Sequence, residues 1–409
     1  MSAANNPGPL VAPTDSLSPR ELDRYARHLS LPGIGVEGQS RLRAASALVI
    51  GAGGLGAPVL NYLAAAGIGS ITIIDDDVVE ASNLQRQVLH RDADIGRAKV
   101  DSARDALLRL DPELEVDTIG ERLSPDNALE LFDSHDVVVD GADNFATRYL
   151  SNDAAELTGT ALIWGTIFRF SGQVSTFVPA HGPMLRDLFP DIPEADSVPN
   201  CAEGGVLGVL CGTVGSAMAT EAVKLICGIG TPLIGRLLRY DALESDYSTL
   251  RFSPDPDREP ITDLAEVAVA CAATRPGPDE LGADGLAQED EVSVEEYRVG
   301  PSPVLLIDVR AEWERQISSI PGSIHLPLSV LQVEGWSAVE TVAAHPPFEV
   351  VLHCKSGARS AQAVRLLKDG APESVRLRSL VGGIDAWSAS GSETVQASGQ
   401  TAMPGAHHP

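Results

Sequence analysis

The chain is poor in basic residues relative to acidic ones. It has 30 Lys and Arg against 57 Asp and Glu, so its formal net charge at pH 7 is −27. This composition makes a broad cationic surface for nucleic acid or an anionic membrane hard to assemble. A local basic site can still form. We therefore expect neither a nucleic-acid partner nor a membrane partner.

Paired cysteines are also absent. The five cysteines are scattered and contain no C-x-x-C pair, which argues against a disulfide framework and favours a reducing, cytoplasmic location. Residues 1–15 lack a basic region followed by an apolar one, so they do not resemble a signal peptide. The uncharged runs 44–74 and 204–220 are rich in glycine, and we interpret both as buried core elements.

With 409 residues, the chain exceeds what one hydrophobic core usually serves, which predicts at least two domains. Strand-like and helical stretches alternate up to about residue 250, which predicts an α/β fold with a mostly parallel, Rossmann-like sheet. The segments 172–178 and 237–241 are expected to add antiparallel strands. Ser18 and Glu21 form a capping-box pattern at the start of a predicted helix over 18–29.

The composition changes after residue 252. Residues 255–298 contain 13 acidic and 3 basic side chains with several Pro and Gly, which predicts an extended, solvated linker around one weak helix near 261–273. A second α/β pattern follows. The predicted divisions are a disordered N-terminus at 1–17, an α/β domain at 18–252, an acidic linker at 253–290, a second α/β domain at 291–390 and a disordered tail at 391–409.

A glycine-rich loop follows the first predicted strand and opens a helix. Gly51, Gly53 and Gly56 match the pattern G-x-G-x-x-G, in which a helix N-terminus binds phosphate. Asp75 ends the next predicted strand, where an acid that binds a ribose belongs. On these residues alone, an NAD-dependent oxidoreductase is a fair interpretation.

Cationic groups beyond Asp75 favour a triphosphate instead. Arg86 and Lys99 follow the second strand, and Asp143 follows the strand 137–140 at the sheet edge where ligands bind. Attack on an α-phosphorus builds negative charge that Arg, Lys and carboxylate-held Mg²⁺ stabilise. The candidate nucleotide-binding residues are Gly51, Gly53, Gly54, Gly56, Asp75, Asp77, Ser82, Asn83, Leu84, Gln85, Arg86, Lys99, Asp143 and Asn144.

Residues 18–252 resemble the ubiquitin-activating-enzyme-like adenylyltransferases that act on molybdopterin-synthase and thiamin sulfur-carrier proteins. The motifs are YARH at 25–28, the glycine loop, IDDD at 74–77, SNLQRQVLH at 82–90, Lys99, DGADN at 140–144 and NCAEGGVLG at 200–208. The resemblance implies that ATP condenses with the C-terminal glycine carboxylate of a small ubiquitin-like carrier ending in Gly-Gly. The implied ligands are the ribose for Asp75, the nucleotide for Gly54, the phosphates for Arg86 and Lys99, and Mg²⁺ for Asp143.

Two further features of this family bear on the chain. Arg27 resembles an arginine that the neighbouring subunit supplies, which implies a homodimer. Many members also bind zinc through two C-x-x-C pairs, but the first position here contains Met184 and Asp187, and the second, 254–261, contains no cysteine. These side chains cannot replace thiolates in a tetrahedral zinc site, so we expect no structural zinc.

Cys354 lies between a predicted strand and a predicted helix. Loop N–H groups, a helix N-terminus and Arg359 would favour its thiolate or persulfide. Together with IDVR at 307–310, PGSIHLP at 321–327 and GGIDAW at 382–387, this loop resembles that of a rhodanese sulfurtransferase domain. Phosphatases with a C-x5-R loop are the main class to confuse with it, but this loop is one residue shorter, which fits sulfur better.

The two domains together suggest a reaction sequence. A Cys354 persulfide attacks the adenylylated carboxyl, and a second thiol then frees a thiocarboxylate; Cys201 aligns with the family's cysteine implicated in acyl transfer or in this reductive step. Cys211 and Cys227 are expected in the core. The sulfur donor is either a cysteine desulfurase persulfide or thiosulfate, and molybdopterin, thiamin, cysteine and thioquinolobactin-like routes remain open.

Three alternatives remain at this point. The chain could be an NAD-dependent oxidoreductase, a non-catalytic scaffold, or an activating enzyme for ubiquitin-style conjugation that uses a Cys201 thioester without sulfur transfer. The nucleotide motifs and Cys354 in one chain weigh against the scaffold, and the fused sulfurtransferase weighs against conjugation.

Overall fold

The computed structural model describes residues 7–14, 16–193, 205–273, 286–300, 304–343, 349–372 and 374–395. The chain forms two compact units, Met1–Thr274 and Arg275–Pro409, each with its own sheet. The predicted fold class, a Rossmann-like α/β domain followed by a smaller α/β domain, is confirmed.

Eight strands form one sheet in the first unit: β1 Ser46–Ile50, β2 Ser70–Ile74, β3 Glu115–Ile119, β4 Val137–Asp140, β5 Ala161–Phe168, β6 Ser171–Phe177, β7 Arg236–Asp241 and β8 Asp246–Arg251. Their order is β3-β2-β1-β4-β5-β6-β7-β8. The first five in that order are parallel, and β6, β7 and β8 add antiparallel at one edge. The predicted antiparallel additions are confirmed, whereas β8 was not predicted because both of its faces are exposed and it lacks apolar alternation.

Helices cover both faces of this sheet. They are α1 Pro19–Arg24, α2 Ala26–Leu29, α3 Gly35–Ala44, α4 Gly56–Ala66, α5 Lys99–Leu110, α6 Ala128–Asp133, α7 Phe145–Thr158, α8 Leu185–Leu188, α9 Gly208–Cys227 and α10 Ala265–Ala273. Leu60 of α4, Leu107 of α5 and Met218 of α9 are buried on one face. Phe132 of α6 and Leu150 of α7 are buried on the other. Burial on both faces explains why β4 reads as a continuous apolar run.

Helix α9 has the length and apolar composition of a membrane span. It contains 20 residues, and 56% of its most apolar window is buried inside the protein. It packs against α3, α4, β5 and β6. This agrees with the interpretation of the uncharged run 204–220 as a core element.

The predicted helix over 18–29 is divided in two. Ser18 and Glu21 form the expected capping box, with Ser18 Oγ accepting the Glu21 N–H at 3.2 Å. The helix is interrupted at Tyr25, which is buried and donates a hydrogen bond from its hydroxyl to Asp111 at 3.0 Å. A tertiary contact therefore overrides the local helical pattern.

Five parallel strands form the sheet of the second unit in the order β11-β10-β12-β13-β9. They are β9 Glu291–Val292, β10 Leu305–Asp308, β11 Ile324–His325, β12 Glu349–His353 and β13 Arg376–Leu380. The helices are α11 Val294–Val299, α12 Glu312–Ile317, α13 Leu328–Glu334, α14 Trp336–Val342, α15 Ala358–Lys368 and α16 Gly383–Ala389. Ile307, Leu352 and Val364 form the centre of its core.

The segments predicted to be unstructured need correction where the structure describes them. In the predicted N-terminal region, the Leu10 N–H donates to the Leu225 carbonyl at 3.1 Å. In the predicted tail, Val395 pairs with Ser319 through two backbone hydrogen bonds. Main-chain pairing with each folded unit therefore extends beyond the boundaries that composition suggested.

The acidic linker predicted at 253–290 is also largely folded. The weak helix expected near 261–273 is α10, and its side chain Val267, with Leu264 just before it, is buried against α7. Leu286 belongs to the core of the second unit. Residues 274–285 of the predicted linker lie outside the described residues. Within the described part, apolar side chains pack against one unit or the other.

Arg258 joins three segments of the first unit. Its Nε donates to Asp187 Oδ1 at 2.9 Å, and its Nη1 donates to Glu156 Oε2 at 3.0 Å. Asp187, whose side chain is 2% exposed, also accepts the Asp255 N–H at 3.0 Å. These ion pairs link the two segments in which zinc-binding family members would carry cysteine pairs. The donors present, a carboxylate and a guanidinium, do not fit a zinc site; the absence of structural zinc stays a prediction.

Replacing Arg258 by Met should lower the free energy of unfolding of the first unit by about 1 to 3 kcal/mol, because the buried Asp187 carboxylate loses its partner. Urea unfolding of the full chain would measure this. Arg251→Met is the control, since Arg251 is exposed on β8 and should change stability by less than about 0.5 kcal/mol. Equal destabilisation by the two changes would contradict this role for the ion pairs.

Candidate active sites

The glycine loop after β1 brings the chain back on itself within a few residues. Gly51 has φ of +86°, a conformation that favours glycine. A Cβ on Gly56 would lie 1.8 Å from the Gly51 carbonyl oxygen, so no larger residue fits there. Helix α4 therefore begins directly against the end of β1.

A pocket of about 110 Å³ lies beside this loop, at the carboxyl ends of β1, β2 and β4. This is the edge at which open α/β sheets bind ligands. Eight of the predicted nucleotide-binding residues line it: Gly51, Gly53, Gly54, Asp75, Asp77, Arg86, Lys99 and Asp143. The structure thus brings together residues that are up to 92 positions apart in the sequence.

Asp75 is held in place by the backbone. Its Oδ2 accepts the Ala52 N–H at 2.8 Å, and its Oδ1 accepts the Asp77 N–H at 2.9 Å. Burial raises the pKa of Asp75, and the nearby Lys99 ammonium opposes this effect. The carboxylate is therefore fixed at the end of β2, on the pocket wall.

Two cations face the pocket with different restraints. Lys99, at the start of α5, has a side chain that is 7% exposed, and its Nζ lies 2.7 Å from Asp77 Oδ2. Arg86 is half-buried, and its Nη1 donates to the Ser82 carbonyl at 3.0 Å. Both can bind phosphate oxygens, because an ammonium and a guanidinium each carry more N–H donors than one hydrogen bond uses.

The remaining predicted residues lie outside the pocket wall. Asn144 caps α7 by accepting the Thr147 N–H at 2.9 Å, and Asn83 accepts the Glu80 N–H at 3.1 Å. Arg27 is exposed on α2. The others that do not line the pocket are Gly56, Ser82, Leu84 and Gln85.

Sequence reasoning missed two polar side chains on the pocket wall. Gln87 is 3% exposed, and its Oε1 has no hydrogen-bond partner among the described residues. Arg148, on α7, is 6% exposed. Both lie close in sequence to the predicted motifs 82–86 and 140–144, which is the signal that could have identified them.

Oxygen ligands are available for a magnesium ion. The exposed Asp143 carboxylate accepts no hydrogen bond from any described residue. Carboxylate oxygens of Asp75, Asp76 and Asp77, which follow β2, lie within 4.8 Å of one another. Hard carboxylate oxygens are the protein ligands that Mg²⁺ prefers, so the donor set fits this ion.

Cys354 occupies the corresponding edge of the second sheet, just after β12. Its Sγ is buried and accepts the Gly357 N–H at 3.1 Å, and Ser360 Oγ lies 3.7 Å away. The N–H groups of Ile384 and Asp385, at the start of α16, hold the carbonyls of Cys354 and Lys355. The start of α16 thus fixes the loop.

The sequence suggested that the charge of Arg359 acts on Cys354, but in the structure Arg359 pairs with a carboxylate. Its Nη1 and Nη2 donate to the two carboxylate oxygens of Glu314, both at 2.7 Å. Burial alone would raise the pKa of Glu314, but these hydrogen bonds hold that pKa below its usual value. A carboxylate therefore balances the guanidinium charge beside the loop.

The other cysteines fall into two groups. Cys211 and Cys227 are buried in α9, as predicted, and burial raises the pKa of Cys227 to about 11, so it is a poor nucleophile. Cys271 lies on α10, where burial also raises its pKa. Cys201 lies outside the described residues.

Fold and sites together define an ATP-dependent adenylyltransferase joined to a sulfurtransferase. Residues 25–260 match the ThiF family, and residues 294–390 match the rhodanese-like domain. The chain belongs to the ThiF family and carries a C-terminal rhodanese-like domain.

Relatives share both domains. The chain is 46% identical to the probable adenylyltransferase/sulfurtransferase MoeZ of Mycobacterium tuberculosis (strain ATCC 25618 / H37Rv) over 93% of this chain and 96% of MoeZ. It is 39% identical to the adenylyltransferase and sulfurtransferase MOCS3 of Bos taurus over 95% of this chain and 90% of MOCS3. The SAMP-activating enzyme E1 of Haloferax volcanii is 49% identical over 60% of this chain and 90% of that enzyme.

A solved structure shares the fold of the first unit. E. coli MccB matches with a TM-score of 0.53 and 21% identity, over 60% of this chain and 73% of that chain. The family and its relatives carry the activity: the chain is an adenylyltransferase and a sulfurtransferase.

Gly56→Ala should weaken ATP binding at least about tenfold, because its Cβ would displace the Gly51 carbonyl and open the loop. Equilibrium binding of ATP to the full chain measures the effect. Gly120→Ala is the matched control, since no atom lies within 4 Å of its added Cβ. Wild-type affinity in the Gly56 variant would contradict the proposed tight turn.

The second unit should lose stability as the pH falls from 6.5 towards 4. Burial lowers the pKa of His353 to about 4 from an ordinary 6.5, so the unfolded state binds more protons in this range. Three of the four tryptophans lie in the second unit, so fluorescence-detected unfolding can follow it. His353→Gln should flatten the dependence, and parallel profiles for the two proteins would contradict this assignment.

Proposed function

We propose that this enzyme adenylylates the C-terminal glycine carboxylate of a small ubiquitin-like sulfur-carrier protein and converts it into a thiocarboxylate. The observation that carries the proposal is the pocket that gathers the glycine loop, Asp75, Lys99 and Asp143 at one sheet edge, in a chain that also holds Cys354 on a rhodanese-like loop.

In the first step, a carrier carboxylate oxygen attacks the α-phosphorus of ATP, and pyrophosphate leaves with the electron pair of the broken P–O bond. Asp75, fixed by two backbone N–H groups, binds the ribose. Arg86 and Lys99 balance the negative charge that develops on the phosphoryl oxygens. Asp143 would hold Mg²⁺, which would supply positive charge to neutralise the phosphate oxygens.

In the second step, the outer sulfur of a Cys354 persulfide attacks the acyl-adenylate carbonyl and AMP leaves. A thiolate, assigned to Cys201, then attacks Cys354 Sγ, which breaks the S–S bond and releases the carrier thiocarboxylate. A disulfide remains between the two cysteines, and an external thiol reductant restores both thiols. The N–H of Gly357 stabilises negative charge on Sγ whenever Cys354 is a free thiolate.

The sulfur on Cys354 comes from a persulfide or thiosulfate donor. The Cys354 thiolate attacks the donor's outer sulfur, and the electron pair of the broken bond leaves with the rest of the donor. The pairing of Arg359 with Glu314 leaves the loop less cationic than its sequence suggests. This favours a cysteine desulfurase persulfide over the dianion thiosulfate.

We assign Arg27 to the pocket of a neighbouring subunit in a homodimer. Arg27 is exposed on α2 and does not line the pocket of its own chain. An arginine supplied in trans can stabilise charge at the α-phosphate in the same way as other positioned guanidinium groups.

Two single variants should separate the half-reactions. Cys354→Ala should keep ATP–pyrophosphate exchange within about 2-fold of wild type but lose at least about 100-fold in thiocarboxylate formation, because the adenylation residues are untouched. Asp143→Asn should lose exchange by at least about 100-fold and keep sulfur transfer from thiosulfate to cyanide. Each assay uses the full chain, and the exchange and thiocarboxylate assays add a carrier ending in Gly-Gly.

The same carrier without its last two glycines is the control and should support no exchange. No exchange with any intact Gly-Gly carrier from the same organism would overturn the proposed substrate class. Full thiocarboxylate formation by Cys354→Ala would remove the second unit as the sulfur source. A thioester on Cys201 with no thiocarboxylate would instead indicate activation for protein conjugation.

A further inference from the structure

The segment Asp140 to Asp143 turns at the end of β4 and is restrained by backbone and side-chain hydrogen bonds. The Gly141 N–H donates to the Ile50 carbonyl at 2.9 Å, which extends the parallel pairing of β1 and β4 by one residue. The Ala142 N–H donates to Asp140 Oδ1 at 2.8 Å. Asp140 itself is fully buried, so this end of the turn is anchored inside the protein.

The other side of the same turn is held by Arg148. Its Nε and Nη2 both donate to the Ala142 carbonyl, at 3.2 and 3.1 Å. The guanidinium lies near two aromatic rings, with its Cζ 5.6 Å from the Phe145 ring centre and 5.9 Å from that of Trp164. Arg148 is 6% exposed, and it lines the nucleotide pocket. A buried arginine thus donates two hydrogen bonds to the residue directly before Asp143.

We propose that Arg148 is a positioning residue for adenylation: by clamping the Ala142 carbonyl, it holds the Asp143 carboxylate at the nucleotide-bound magnesium ion. The backbone N–H of Ala142 is then bonded to Asp140 and its carbonyl to Arg148. Rotating either peptide of this turn would break one of these hydrogen bonds. Asp143 alone in this turn is left with an exposed carboxylate that no described residue contacts by a hydrogen bond. The inference rests on the proposed function, in which Asp143 holds Mg²⁺.

The shape of the guanidinium explains why arginine is required. Two donors on one planar group reach a single carbonyl, while the same plane lies near Phe145 and Trp164. A lysine ammonium at this position would keep the positive charge but has neither the planar pair of donors nor the flat surface. Arg148→Lys therefore separates the geometric role from the charge.

The test is the effect of Mg²⁺ on ATP binding to the full chain, measured at equilibrium with Mg²⁺ and with a chelator. In wild type, Mg²⁺ should strengthen binding. In Arg148→Lys, this strengthening should fall about 5-fold, so ATP affinity should drop more in the presence of Mg²⁺ than in the chelator. The Mg²⁺ concentration for half-maximal ATP–pyrophosphate exchange should rise by a similar factor.

Arg186→Lys is the matched control. Arg186 is 5% exposed and donates two hydrogen bonds to Asp153, which like Arg148 lies on α7. Arg186 does not line the nucleotide pocket. This variant should lose stability and keep the wild-type Mg²⁺ effect. In an Asp143→Asn background, Arg148→Lys should change nothing further, because the group it positions is gone.

The outcomes distinguish the two assignments. If Arg148→Lys leaves the Mg²⁺ effect unchanged, or weakens ATP binding equally with and without Mg²⁺, Arg148 does not act through Asp143 and the inference is overturned. If Asp143→Asn itself keeps the full Mg²⁺ effect, the assignment of Mg²⁺ to Asp143 in the proposed function fails instead.

Discussion

The close contact between the Gly51 carbonyl oxygen and Gly56 controls the first active site. Only because Gly56 has no Cβ can α4 begin directly against the end of β1. That contact fixes the loop over which Asp75 is anchored, since Asp75 accepts its hydrogen bond from Ala52. The turn after β4 then packs against Gly51, which brings Asp143 to the same edge. The residues that we propose as ligands of the ribose, the phosphates and the metal ion all depend on this packing.

The second unit reaches a similar solution with different chemistry. Its parallel strands also end at one edge, and the loop after β12 is followed by a helix. Gly357 adopts φ of +115° and turns its N–H towards Cys354 Sγ. A Cβ on Gly383 would lie 2.5 Å from two carbonyl oxygens of the loop, so α16 can approach closely only with glycine there. Parallel sheets place loops, and hence reactive groups, at their carboxyl ends in both units.

The acidic residues do more than give the chain its negative charge, because several of them form ion pairs that hold side chains in place. Carboxylates pair with cations beside the two sites, Asp77 with Lys99 and Glu314 with Arg359, and a third pair, Asp187 with Arg258, joins segments of the first unit. These pairs hold side chains in fixed positions and limit the net positive charge around the reactive groups. The acidic stretch after residue 252 belongs partly to this network, because Arg258 anchors it to the first unit.

Sequence motifs were sufficient for the fold class and for most of the residues that line the pocket beside the glycine loop, because glycine, aspartate and cationic residues at strand ends have few other uses in that order. They also located Cys354. The motifs did not predict contacts of side chains with other segments. Examples are the hydrogen bonds from Arg148 to the Ala142 carbonyl and from Arg359 to Glu314. Nor did they predict the burial of Leu264 and Val267, which lie in a stretch whose composition suggests a solvated linker. By itself the sequence determined where strands end and which side chains stand there, since this follows from local pattern. Only the tertiary structure decided which charges are paired and which remain open to a ligand, because pairing depends on residues brought together from separate parts of the chain.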